Sequence, residues 1–352
     1  MTDLHRNVAL AGLLLLAACG PSGNDSTDGG AGGGAEPALE TPVETLEAAL
    51  HCTEFAHPEH PVVLLVHGTF TAGREQYEWN YLPLLSARGF DVCAITYPDR
   101  GLGDQQISAE YVVHAVRRIH AQTGRKLAIV GHSQGVSVPR WALRWWPSVR
   151  AAVSDFVAQA GPVHGTVVAD PTALLAPLGL PLPEGNASAP LLPAAFRQFG
   201  PTSQFILALN RDDETPGAVD YTAIYTLTDE LVQPVLPVPT AAFEFGQANP
   251  RVANFLTQDL CPTTLVDHVT IGTVDRLAFE LTIDAITHAG PADFTRAGGM
   301  ALCLNPLPII ADPALASAGA QTLLTILQAD AEAGFPDPHL TTEEPPLKAY
   351  AQ

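Results

Sequence analysis

The chain has 352 residues, with 17 basic against 37 acidic side chains and a formal net charge of −20. That balance excludes a nucleic-acid binder, because little here would neutralise phosphates. A hydrophobic share of 47% against 15% charged residues excludes disorder for most of the length and leaves enough chain for one large core.

The N-terminus reads as an address. Arg6 precedes an apolar run from Val8 to Ala18, the pattern of an export signal and too short to span a bilayer. The run ends Leu16-Ala17-Ala18-Cys19-Gly20, which resembles a bacterial lipobox whose Cys is lipidated and becomes the new N-terminus. Pro21 to Gly34 is rich in Gly, Ser, Asp and Asn, the composition of a flexible tether. The expected organisation is a signal peptide over 1–18, a tether over 19–44 and a folded domain over 45–352. Cys19 is the expected lipidation site. The product is then a cell-envelope lipoprotein at the outer membrane or cell surface, held by its lipid anchor, or a secreted protein if Cys19 stays free. Cys52, Cys93, Cys261 and Cys303 remain, an even number suited to an oxidising compartment, with three possible pairings. No two stand in a C-x-x-C spacing, so no zinc site is expected.

Next come strands alternating with helices. Pro61 to Val66 and Phe90 to Tyr97 read as strands. Ile107 to Gln122 reads as a helix, with Tyr111, Val112, Ala115, Val116 and Ile119 on one face and Gly124 ending it. Lys126 to Val130 is a buried strand, Gln134 to Trp146 a helix stopping before Pro147, and Val153 to Ala160 a strand. Tyr221 to Leu227 and Thr263 to Val266 are further short strands, and Asp312 to Glu332 is a late helix. Apolar strands between helices predict an α/β fold, a mostly parallel sheet covered on both faces.

The strongest chemistry lies at Gly131-His132-Ser133-Gln134-Gly135, a G-x-S-x-G motif between a predicted strand and a predicted helix. A Ser on such a sharp turn needs small neighbours, and Gly131 and Gly135 meet that demand. The following helix points its positive end at the Ser. A serine nucleophile needs a base, and the base an orienting carboxylate; after an elbow of this kind the acid and then the His follow in the chain. His268, His288 and His339 are the candidate bases. His268 is favoured because it directly follows the expected strand Thr263 to Val266, and catalytic groups project from strand C-termini. His288 falls in a helical run and His339 in a Pro-rich tail. Asp229, after the strand Tyr221 to Leu227, is the favoured acid. Glu230 beside it points elsewhere, Asp212 and Asp213 suit a solvated turn, and Asp267 is too near His268 to orient its ring. An oxyanion hole needs donors aimed at developing charge. The N–H of Gln134 supplies one, and Thr69, after the first strand, offers both its N–H and its hydroxyl. For His67 a packed or capping role is preferred.

Four separated segments carry a resemblance: Val66 to Gly73 (V-x-G-T-x-T-x-G), Ser133-Gln134-Gly135, Thr228 to Pro234 (T-D-E-L-V-Q-P) and Val266-Asp267-His268. Ala160 to Thr166 and Asn305 to Pro308 support them. The chain resembles the Candida antarctica lipase B-like lipases of the α/β-hydrolase superfamily from about Cys52 to about Ala329. The resemblance implies the α/β-hydrolase fold, Ser133 as nucleophile, Asp229 as acid and His268 as base, and Thr69 and Gln134 as the oxyanion hole. It also implies the disulfides Cys52–Cys93 and Cys261–Cys303. Where the yeast enzyme has Trp before its nucleophile, this chain has His132, which implies a roomier, more polar floor.

The expected activity is ester hydrolysis through an acyl-enzyme, on triacylglycerols or other carboxylic esters, with no metal or organic cofactor. Expected partners are an ester or lipid substrate and the anchored membrane, with no nucleic acid and no obligate protein partner. His132, Leu231 and Val232 are expected at the substrate. Leu174, Leu175, Leu178, Leu180, Leu182, Leu323, Leu324 and Leu327 are candidates for an acyl wall. An esterase for short or polymeric esters is the alternative, and a non-catalytic surface lipoprotein a remoter one that the complete Ser/Asp/His set argues against.

Overall fold

The structure, a computed structural model, describes residues 36–169, 191–333 and 340–352. The expected signal peptide, Cys19, the glycine-rich part of the tether, His339 and the leucines from Leu174 to Leu182 lie outside the described residues.

Seven strands form the main sheet: β1 (Leu50–Cys52), β2 (Val62–Val66), β3 (Val92–Ile95), β4 (Leu127–His132), β5 (Val153–Gln159), β7 (Asp220–Tyr225) and β8 (Val252–Leu256). Their order is β1-β3-β2-β4-β5-β7-β8, all parallel except β1 against β3. A separate two-stranded ladder pairs β6 (Leu192–Pro193) with β9 (Leu340–Thr341). β2 is apolar without interruption because helices cover both of its faces: Val62, Leu64 and Val66 join one core cluster and Val63 and Leu65 the other. The helix Gln105–Thr123 ends on Gly124 at φ 67°, as its sequence predicts, and starts two residues earlier than expected, on Asp104, whose carboxylate accepts the Gln106 N–H. This is the α/β-hydrolase fold.

The structure departs from the sequence reading in three places. Thr263 to Val266 is not a strand; Thr264 N–H closes a turn onto Cys261, and Leu265 is 91% exposed, so the segment has no place in the sheet. Both edge strands of the main sheet are unanticipated: β1 has only three residues, and β8 is half-buried throughout and includes Asn254, so it lacks an apolar run. Residues 36–44, expected as the end of the tether, pack against the domain. The Glu36 carboxylate binds Ser148 and Arg117, and Glu110 accepts the N–H groups of Glu40 and Thr41 at 2.9 and 2.7 Å. Those bonds take up the polar backbone of a segment whose composition suggests a linker.

Candidate active site

Ser133 sits between β4 and the helix Gln134–Trp145 at φ 57° and ψ −124°, a conformation a non-glycine residue holds only under local constraint. The constraint is visible on both sides. A Cβ at position 131 would lie 1.9 Å from the Gly135 carbonyl oxygen, and one at position 135 would lie 2.1 Å from that of Val66. Only glycine fits either place.

His268 opens the short helix His268–Ile271 after an irregular segment, rather than ending a strand. Asp267 caps that helix: its carboxylate accepts the Thr270 N–H at 2.8 Å, which commits it away from the imidazole. Asp229 follows β7 and is 2% exposed. Its Oδ1 accepts the N–H groups of Leu231 and Val232 at 2.9 and 2.7 Å. His268 Nδ1 lies 3.0 Å from both Asp229 oxygens, and Nε2 lies 2.9 Å from Ser133 Oγ. Burial works against both charges, but the pair overrides it. Asp229 is held below the usual carboxylate value by His268 and the two N–H donors, and His268 is raised above the usual histidine value by Asp229.

Among the described residues, the backbone N–H groups of Thr69 and Gln134 have no hydrogen-bond partner. The turn that carries Thr69 abuts the elbow, since a Cβ on Gly68 would come within 3.2 Å of the Ser133 Cβ. The Thr69 hydroxyl donates to Gln134 Oε1 at 3.0 Å. Thr69, Ser133 and His268 line a cavity of about 470 Å³. His132, Leu231 and Val232 line it, as do Leu323, Leu324 and Leu327 of the helix Pro313–Ala333. Trp79, Phe196 and Phe199 also line it, and the sequence offered no signal that would have picked out Trp79 or Phe199.

His132 corrects one expectation. It lines the cavity, but the floor gains little polarity because both ring nitrogens are engaged, one with Gln76 and one with the His268 carbonyl. His67 is buried and stacked on Tyr97 at 3.9 Å, and burial pulls it down to about 4. His288 lies past the end of the helix Arg276–Thr287 beside Asp284, and Asp212 is a surface residue, so neither joins the site. Cys52 is bonded to Cys93 and Cys261 to Cys303, the pairings the resemblance implied.

Residues 59–241, just over half of the chain, match the family Lipase (class 2). Lipase B of Pseudozyma antarctica is 31% identical over 242 residues, which cover 67% of this chain and 65% of that protein, a little under two thirds of its length. The crystal structure of Aspergillus fumigatus lipase B matches with a TM-score of 0.74 and 29% identity, over 95% of this chain and 77% of that one. The family match ends before His268, so the placement of that residue rests on the geometry above. On the sheet order, the strained elbow and these matches together, the chain belongs to the class 2 lipase family.

Proposed function

We propose that the protein is a serine ester hydrolase, a lipase or carboxylesterase working through an acyl-enzyme. The observation that carries this reading is His268 hydrogen-bonded to Ser133 on one side and to buried Asp229 on the other, beside an apolar cavity. His268 Nε2 takes the proton of Ser133 Oγ as that oxygen attacks the ester carbonyl. The carbonyl oxygen becomes an anion and is met by the N–H groups of Thr69 and Gln134. His268 then returns the proton to the departing alkoxide, leaving Ser133 acylated. Water repeats the sequence with His268 as base and frees the acid. Asp229 holds the imidazole with Nδ1 protonated and stabilises the imidazolium. No step requires a metal or an organic cofactor.

Triacylglycerols are the favoured substrates, since Leu231, Val232, Leu323 and Leu327 give the cavity an apolar wall suited to an acyl chain. A series of esters from short to long acyl chains, soluble and emulsified, tests this. Preference for long emulsified chains supports a triacylglycerol lipase, and a sharp optimum at soluble short chains makes the protein an esterase. Reaction of Ser133 with a fluorophosphonate probe tests the nucleophile itself; no labelling would leave only the non-catalytic reading. Export and lipidation at Cys19 belong to the same proposal and are read by mass spectrometry of the mature protein.

A further inference from the structure

His268 has no strand to fix its main chain, and two side chains hold it instead. Glu230 Oε2 accepts its N–H at 3.1 Å, and His132 Nε2 donates to its carbonyl at 2.7 Å. A carbonyl only accepts, so His132 Nε2 carries the proton and Nδ1 presents a lone pair. Gln76 Nε2 donates to that lone pair at 3.1 Å. The far end of Gln76 fixes its amide orientation, because Oε1 accepts the Gly68 N–H and the Thr71 hydroxyl, both at 2.9 Å. Gln76 and His132 are 5% and 6% exposed. The imidazole is also packed against Gly272, where a Cβ would lie 2.1 Å from the ring carbon Cδ2. Gly272 has an ordinary φ of −91°, so the reason for glycine there is space for this ring. An unbroken hydrogen-bonded series therefore joins the His268 carbonyl, through His132 and Gln76, to the turn that carries Thr69.

The geometry points to His132 and Gln76 as positioning residues that hold His268 and the Gly68–Thr69 turn in one frame around Ser133. This rests on the reading of Ser133 as nucleophile and His268 as base. Proton transfer and oxyanion capture use groups from two separate loops, and a misplacement of about 1 Å between such groups can cost on the order of 10²-fold in rate. Neither side chain touches the reacting atoms; each acts through the groups it holds.

The experiment is steady-state kinetics on a soluble p-nitrophenyl ester with His132→Phe, His132→Gln and Gln76→Met, beside wild type and Ser133→Ala. His132→Phe keeps a ring of similar size and loses both bonds. We expect kcat to fall roughly 10- to 100-fold with KM within about threefold. His132→Gln places an amide N–H near the former Nε2 and should recover most of the rate. Folding is checked by circular dichroism, and if His132→Phe does not fold, Gln76→Met carries the same expectation. A folded His132→Phe with kcat within threefold of wild type overturns the inference. So does a rise in KM alone, or a His132→Gln variant as slow as His132→Phe. Activity surviving in Ser133→Ala would instead sink the reading of Ser133 as nucleophile, so the two failures are distinguishable.

Discussion

The Thr69 hydroxyl donates to the side-chain oxygen of Gln134 at 3.0 Å, so the two residues expected to receive an oxyanion are bonded to each other. Gln134 is held in turn, since its Nε2 donates to the Gly101 carbonyl at 2.8 Å. In this arrangement the hydroxyl is an anchor for the turn, and among the described residues the backbone N–H groups of Thr69 and Gln134 stay without a partner. Thr69→Val keeps the N–H and removes the anchor. Its expected kcat is about 10- to 100-fold below wild type, less than or comparable to loss of a whole oxyanion donor. Thr69→Ser should stay within a fewfold. Equal rates for Val and Ser would show that the hydroxyl has no part in the site.

The second prediction concerns pH. Burial pulls His268 down, but Asp229, with Glu230 and Asp267 adding their charge, raises it above the ordinary 6.5. His132, the other titratable group against the ring, is pulled down to about 3 by burial and by His268, so it stays neutral over the working range. Acylation needs neutral His268, so the acid limb of kcat/KM should have its midpoint above 6.5 and then level off. Glu230→Gln keeps an acceptor for the His268 N–H and loses one negative charge. Its limb should move to lower pH, with a plateau within a fewfold of wild type. Asp229→Asn should lose on the order of 10⁴ in kcat, because the imidazole is then held in the wrong tautomer. Asp267→Asn should lose far less. A crippled Asp267→Asn beside a near-normal Asp229→Asn would overturn the acid assignment.

The elbow was legible in the sequence because its cause is local: an apolar strand, a Ser, and glycines where any Cβ would strike backbone. His268 does meet Ser133 and Asp229, but not by the route expected of it. The strand expected before it does not form, and what places the imidazole is the cap from Asp267 and the bonds from Glu230 and His132. Gln76 stands 56 residues from His132, and nothing in an isolated Gln announces such a bond. The direction of the His268 shift was equally illegible, since it depends on whether burial or the Asp229 carboxylate prevails. β8 escaped notice because a half-buried edge strand lacks the unbroken apolar run that marks β2 and β4.

The third prediction follows from the fit of the His132 ring to Gly272. Gly272→Ala should displace the ring and lower kcat as His132→Phe does, by roughly tenfold or more. In a His132→Ala background the added methyl meets no ring, so Gly272→Ala should then cost little. The double-mutant cycle should be strongly non-additive. Additive effects would mean that Gly272 matters for some reason unconnected with His132.

The last prediction concerns stability. Asp155 on β5 faces Asp220 on β7 in register and is 7% exposed. Burial raises it to about 7, with Asp220 adding to the rise and Ser154 and Lys126 opposing it. Asp220 has its own cation, Arg251 at 2.9 Å, which leaves Asp155 the poorer site for a charge. Between its ordinary value of 3.8 and about 7, the folded chain keeps a proton on Asp155 that the unfolded chain gives up. Folding stability therefore falls as pH rises through that window and levels off above it, by on the order of 2–4 kcal/mol. Raised His268 contributes in the same sense, its share being lost as pH climbs through its folded value. Asp155→Asn removes the first contribution and leaves the second. Thermal melts from pH 4 to 9 should show wild type losing more Tm than the variant, with the variant several degrees the more stable at pH 8. Parallel curves for the two proteins would mean that Asp155 is charged in the folded state throughout, and that the pairing with Asp220 is relieved in some other way.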